Sequence, residues 1–255
     1  MEQQEALNQT APNSAFSTCD EPVVVGREQE LARFRTILQE GHPLLMVITG
    51  GPGVGKSSLL HAFQAQAVTA GWTAAPGSAS ECLRITPETT EESFIDQVQN
   101  LIAVLSDQSF IEKSPAKTSV EGSAAQPPLL PIVEQLRFRA PLLLLIDGYQ
   151  PEPAFAEWFQ TRFVKEIKDT AAPVIVVVSE RPDGATKLTV LAEQIVTLGV
   201  LEEPAIRKHF ETMNQQISPR MTEDELNIYV DEGFQKPEMI GSLTRVLRLA
   251  LSNRT

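Results

Sequence analysis

The 255-residue chain has 33 acidic against 21 basic residues, a formal net charge of −12, with 42% hydrophobic and 21% charged residues. That balance supports a sizeable core and one large domain, or one domain with a small appendage. It argues against broad binding to nucleic-acid backbones, which needs clustered Lys and Arg. The two cysteines, Cys19 and Cys82, lie far apart and set up neither a disulfide framework nor a metal-ligand spacing. No basic segment followed by an apolar block opens the chain, so no signal peptide is expected. The longest apolar runs, Leu142–Ile146 and Val174–Val178, are too short to cross a membrane, and the expected compartment is the cytoplasm.

Residues 1–22 are rich in Gln, Asn, Ser, Thr and Ala without apolar periodicity and read as a disordered tail. Val23-Val24-Val25-Gly26-Arg27-Glu28 is a short extended segment turning into a helix, where Leu31, Phe34, Ile37 and Leu38 repeat at helical spacing up to Gly41 and Pro43. An apolar run, Leu44–Ile48, then enters Gly50-Gly51-Pro52-Gly53-Val54-Gly55-Lys56-Ser57, and a helix-forming run from Ser58 to Phe63 leaves it.

That octet fits the phosphate-loop template G-x-x-x-x-G-K-[ST], and a strand before it with a helix after it is the context the motif requires. Its glycines let successive backbone N–H groups point inward around an anion, and the helix adds its positive N-terminal end. The expected nucleotide-binding residues are Gly51, Pro52, Gly53, Val54, Gly55, Lys56, Ser57 and Ser58. Lys56 reaches the β- and γ-phosphates, and the Ser57 hydroxyl ligates Mg²⁺. The bland alternative is a glycine-rich turn between a core strand and a core helix.

Thr73–Ile85 reads as a second strand interrupted at Pro76-Gly77. Glu91–Leu105 reads as an amphipathic helix carrying Phe94, Ile95, Val98, Leu101, Ile102 and Leu105. Residues 106–131, rich in Ser, Pro, Gly and Ala, read as a long mobile insertion, followed by a short helix around Ile132–Arg139. Leu142–Ile146 is apolar throughout, as in a central parallel strand buried on both faces. It ends in Asp147, at the edge where open α/β sheets bind ligands. There Asp147 can hold Mg²⁺ opposite Ser57, unless it serves as a helix N-cap or turn residue.

No acid follows Asp147 directly. Gln150 can orient water through its amide, and Glu152 can reach if the loop folds back, although Pro151 and Pro153 stiffen it. Slow hydrolysis is the expectation. Ala154–Ile167 reads as a helix burying Phe155, Trp158, Phe159, Phe163 and Ile167, then Val174–Val178 and Gln194–Leu198 as strands. From Leu201 only helices are predicted, over about 204–215, 222–232 and 238–251. The chain therefore divides into the tail 1–22, a parallel α/β core over 23–200 and a helical lid over 201–255.

These residues resemble the STAND group of P-loop ATPases, the signal-transduction branch of the AAA+ class that includes NACHT and NB-ARC modules, over roughly Val23 to Leu251. Val25-Gly26-Arg27-Glu28 resembles the opening motif whose backbone lies against the adenine, implying contacts from Val25 and Gly26. Asp147-Gly148-Tyr149 resembles the start of a NACHT metal strand, except that Gln150 and Pro151 stand where two acids are usual. Ser179-Glu180-Arg181-Pro182 resembles the sensor segment, implying that Arg181 faces the γ-phosphate; otherwise Arg181 is a surface residue before a turn. Gly233-Phe234-Gln235-Lys236-Pro237 resembles a longer-spaced Gly-x-Pro element, which implies Pro237 near the adenine and is compatible with a plain helix-opening proline.

His42, His61 and His209 form no metal-ligand pattern; Arg245 and Arg248 can supply a second phosphate-sensing arginine, but at their helical spacing they read as part of a solvated face. The expected function is an ATP- or ADP-binding, Mg²⁺-dependent switch with weak ATPase activity, an unidentified protein partner and nucleotide-dependent oligomerisation, without nucleic acid. The alternatives are a non-hydrolysing scaffold, a DNA-loading AAA+ protein and a small-molecule kinase.

Overall fold

The computed structural model describes residues 24–76, 82–107, 129–182, 188–215 and 220–252. Its apolar runs lie side by side as β1 (Leu44–Gly50), β2 (Thr73–Ala75), β3 (Leu83–Ile85), β4 (Leu142–Tyr149), β5 (Val174–Glu180) and β6 (Gln194–Leu198). The sheet order is β2-β4-β5-β1-β6, with β3 also on β4, and every pairing is parallel. β2 pairs with the start of β4, from Thr73 opposite Leu142, and β3 with its end, from Leu83 opposite Ile146. The two pieces take the place of the interrupted second strand expected from the sequence, at the sheet edge; Gly77, at the predicted break, lies outside the described residues.

Alternation along these strands sorts the core onto two faces. Leu44, Met46 and Ile48 of β1, Leu143 and Leu145 of β4, and Ile175 and Val177 of β5 face α1 (Glu28–Glu40) and α2 (Lys56–Thr69). There Phe34 and Phe63 stack with ring centroids 3.9 Å apart. Leu45, Val47, Leu144, Ile146, Val176 and Val178 face the other way, onto α3 (Glu91–Asp107), α4 (Leu129–Phe138) and the helix after β4. Burial on both faces explains why the strands read as unbroken apolar runs.

That last helix starts as α5 (Pro153–Trp158), widens into a π turn (Phe159–Val164) and ends as α6 (Lys165–Asp169), longer and less regular than the predicted Ala154–Ile167. The π turn sits where Phe159 and Phe163 press edge-on against Phe94. The predicted tail 1–22 and residues 108–128 of the predicted insertion lie outside the described residues. At the insertion's ends α3 runs on to Asp107 and α4 begins at Leu129, so the helices are longer than expected. A short α7 (Leu188–Leu191) before β6 was not predicted.

After β6 come α8 (Glu203–Gln215), α9 (Glu223–Gln235), a 3₁₀ turn (Pro237–Met239) and α10 (Ile240–Ser252). Ile206, Phe210, Leu226, Val230 and Leu247 form a separate small core. Thr222 and Glu225 close a reciprocal capping box that starts α9. No described helix is long and apolar enough to cross a membrane.

Candidate functional site

The carboxyl ends of β1, β4 and β5 converge where β1 runs into the glycine loop. Gly53 (φ +75°) and Gly55 (φ +95°) take left-handed backbone, and Gly55 caps the start of α2. Gly53 has a second reason to lack a side chain. A Cβ there would lie 2.2 Å from the Glu238 Cα, so the 3₁₀ turn of the helical part rests directly on the loop. Lys56 Nζ donates to Gly50 O at 2.6 Å and Gly51 O at 2.7 Å. Its ammonium is thus folded over the loop entrance, and phosphate oxygens are stronger acceptors for the same protons.

Strand parity sets the rest. Asp147 continues the row Leu143–Leu145, and Ser179 the row Ile175–Val177, so both emerge on the α2 face. Ser57 Oγ donates to Asp147 Oδ2 at 2.7 Å and Ser179 Oγ donates to Asp147 Oδ1 at 2.7 Å. Ser179 Oγ in turn accepts from Gly148 N at 2.9 Å, fixing the carboxylate on the strand end. A hydroxyl and a carboxylate within hydrogen-bond distance fit a small hard cation that keeps waters and takes its other ligands from phosphates. Among the described residues no cluster of three or more His, Cys, Asp or Glu side chains competes for a metal. Cys82 lies near Asp147; burial, and then the Asp147 charge, push its thiol up to about 11, so it stays protonated at neutral pH.

Beside the loop lies a cleft of about 420 Å³, the size of a small-ligand site. Core and helical part share its walls. Val25, Gly53, Val54, Gly55 and Ser58 contribute from one side, and Pro237, Ile240 and Thr244 from the other. Of the other predicted residues, Gly26 packs against Leu201 and Ala205, at the start of the helical part. Pro237 lines the cleft and opens the 3₁₀ turn.

Gln150 is exposed, and its N–H donates to Ile85 O at 2.8 Å, which ties it to β3, on the side of β4 away from β1. Arg181 is exposed just past β5. Gly51 and Pro52 belong to the loop but not to the cleft wall.

Several residues here take places that the sequence reading did not give them. Arg27 is only 8% exposed, and its Nη2 donates to Val54 O at 3.0 Å and Gly199 O at 2.6 Å. One guanidinium thereby joins the opening segment, the phosphate loop and the link leaving β6. His61, expected in a packed or surface role, Arg245, expected on a solvated face, and His209 all line the cleft. His209 Nε2 lies 2.9 Å from Thr244 Oγ1. The 3₁₀ turn resting on the phosphate loop at Gly53 sets the helical part beside α2 and brings them together.

A parallel sheet with the loop strand set beside β5 and β5 beside the carboxylate strand, with a glycine loop opening a helix, defines a P-loop nucleoside triphosphatase fold. A family model described as the AAA ATPase domain matches residues 23–178, and the chain belongs to that family. Membership implies nucleotide binding.

Among solved structures, the chain resembles RuvB of Thermotoga maritima with a TM-score of 0.55 at 13% identity, covering 87% of this chain and 61% of that one. It resembles domain III of the Thermotoga maritima replication initiation protein DnaA at 0.51 and 17%, covering 91% and 88%. It also resembles the Aeropyrum pernix ORC1 protein, solved in complex with DNA, at 0.53 and 15%, covering 92% and 62%. The chain thus spans less than two thirds of the RuvB and ORC1 chains, and at these identities the likeness is one of fold. No curated protein matches it in sequence.

Proposed function

We propose that the chain is an ATP- and Mg²⁺-binding nucleotide switch of STAND type with slow ATPase activity, acting in signalling or assembly control through a protein partner. The observation that carries this reading is the shared cleft, because a ligand touched by core and helical lid can couple their orientation. In this reading Val25, Gly26 and Pro237 flank the adenine. Gly51–Ser58 cradle the phosphates, and Lys56 exchanges its loop carbonyls for phosphate oxygens. Ser57 and Asp147 would hold Mg²⁺, which neutralises phosphate charge when bound. Arg181 would read the γ-phosphate, and Arg245, on the cleft wall, gives the lid a cation that can share the task.

Moving such a switch from mostly open to mostly closed requires about 5.5 kcal/mol of differential binding, more than a proline against a base supplies, so phosphate contacts must contribute. Hydrogen exchange across residues 204–251, with no nucleotide, ADP or a non-hydrolysable ATP analogue, tests the reading. Stepwise protection is expected. Identical protection in all three states would leave a nucleotide holder without a switch.

A further inference from the structure

Beyond the glycine loop the cleft has a polar corner built from both parts of the chain. Ser58 and His61 lie one turn apart on the same face of α2. Ile240 and Thr244 repeat that relation at the start of α10. His61 and Thr244 are both half-buried. Val24, Val25, Leu201 and Pro237 make the wall apolar elsewhere. Among the described residues that line the cleft there is no carboxylate.

The hydrogen bonds around Thr244 fix what it can offer a ligand. A hydroxyl has one proton, and Thr244 Oγ1 donates it to Ile240 O at 2.8 Å. His209 Nε2, 2.9 Å from the same oxygen, is therefore the donor of that pair. The oxygen has two lone pairs. One takes the His209 N–H, and the other is left for a donor in the cleft. His209 reaches Thr244 from α8, one turn after Ala205, which packs on Gly26. Across the cleft, the His61 imidazole can give a ring N–H or, when neutral, accept a hydrogen bond. An uncharged acceptor facing an imidazole suits a hydroxyl group. Phosphates seated on the loop bring the sugar, their covalent neighbour, beside Ser58 and His61, and a flat base then meets the apolar wall.

We propose that this corner is a ribose site, in which Thr244 Oγ1 accepts a hydrogen bond from a ribose hydroxyl and His61 bonds the sugar from the core side. His209 is a positioning residue that holds Thr244 through its Nε2–H. This rests on the nucleotide-binding reading above and narrows it. The ligand is a ribonucleotide, and its sugar ties the helical part to α2. A deoxynucleotide leaves the Thr244 acceptor without its donor.

Calorimetric titration of the full chain with ATP, 2′-deoxy-ATP and 3′-deoxy-ATP, each with Mg²⁺, tests the assignment. Wild type should bind at least one deoxynucleotide about 3- to 10-fold more weakly than ATP, the range of one neutral hydrogen bond. Thr244→Val keeps the branched shape without the acceptor, so ATP binding should weaken until that ratio approaches one. His61→Ala and His209→Ala should each narrow the ratio. His209→Gln, which keeps an N–H donor, should restore it, whereas a merely structural histidine would weaken ATP and deoxynucleotide alike. Purine riboside triphosphate lacks the adenine amino group and should lose as much as ATP does in Thr244→Val. If it loses nothing there, Thr244 reads the base and the ribose site is overturned. Equal wild-type affinity for ATP and both deoxynucleotides also overturns it, with nucleotide binding intact. A wild-type protein that binds none of these compounds contradicts the nucleotide reading itself.

Discussion

Arg27→Ala should loosen the joint between the phosphate loop and the link to the C-terminal helices. The guanidinium gives two charge-assisted hydrogen bonds, to Val54 O and Gly199 O. Its ion pair with Glu30, at 3.7 Å, is long and adds little. The two lost bonds are not equivalent. Gly199 is exposed, so its carbonyl can recruit water, while the bond to Val54 O is buried and leaves an acceptor without a donor.

A hydrogen bond to a charged group contributes about 1.5–3 kcal/mol. Taking the buried bond at the upper end and discounting the rehydrated one gives a net loss of about 3 kcal/mol. For a chain of this size that lowers the melting temperature by roughly 6–12 °C. Arg27→Lys should recover less than half, since one ammonium lacks the fork that spans both carbonyls. Circular-dichroism melts without nucleotide give the number. An Arg27→Ala protein melting within about 2 °C of wild type would falsify the joint, because even one lost charged hydrogen bond exceeds that shift.

Ser179→Ala removes both the donor to Asp147 Oδ1 and the acceptor for Gly148 N. Calorimetry should show Mg²⁺-dependent ATP affinity falling by about 10- to 100-fold, the usual effect of losing an outer-shell partner; unchanged affinity would mean that Asp147 needs no such support. The capping box of α9 makes a pH-dependent prediction. The Thr222 backbone N–H, followed by the Thr222 side chain, holds the Glu225 carboxyl below its ordinary value of 4.5. A depressed acid stabilises the fold above its unfolded pKa and loses that contribution as pH falls through the folded one. Hydrogen-exchange protection of α9 should therefore be level at neutral pH and decline below 4.5. Glu225→Gln should abolish that decline, and the same decline in the variant would assign it elsewhere.

How much of this was legible in the sequence depended on range. The phosphate loop was readable because all its parts are local, and its neighbours Leu44–Ile48 and Ser58–Phe63 declared strand and helix. Asp147 was readable as the polar end of an apolar run, and its partner Ser57 followed from the motif. Ser179 lay in a segment singled out in the sequence, but its pairing with Asp147 required the register of β4 on β5, which no local pattern encodes. His61, His209 and Arg245 required the docking of α8 and α10 over the loop. Arg27 looked like a motif residue, but its burial depends on carbonyls at positions 54 and 199 meeting in space. The π turn was hidden because its aromatic spacing fits an ordinary helix equally well, and only packing against Phe94 selects the wider turn.

The most direct test of nucleotide binding at the glycine loop is calorimetric titration of ATP–Mg²⁺ into wild-type and Lys56→Ala protein, with a thermal melt of each. Filling the site to a hundred times its dissociation constant should stabilise the wild type by about 2.7 kcal/mol. Lys56→Ala should fold with wild-type circular dichroism yet show neither heat nor shift at the same concentration. Equal binding by the two proteins, or binding by neither, would contradict the account.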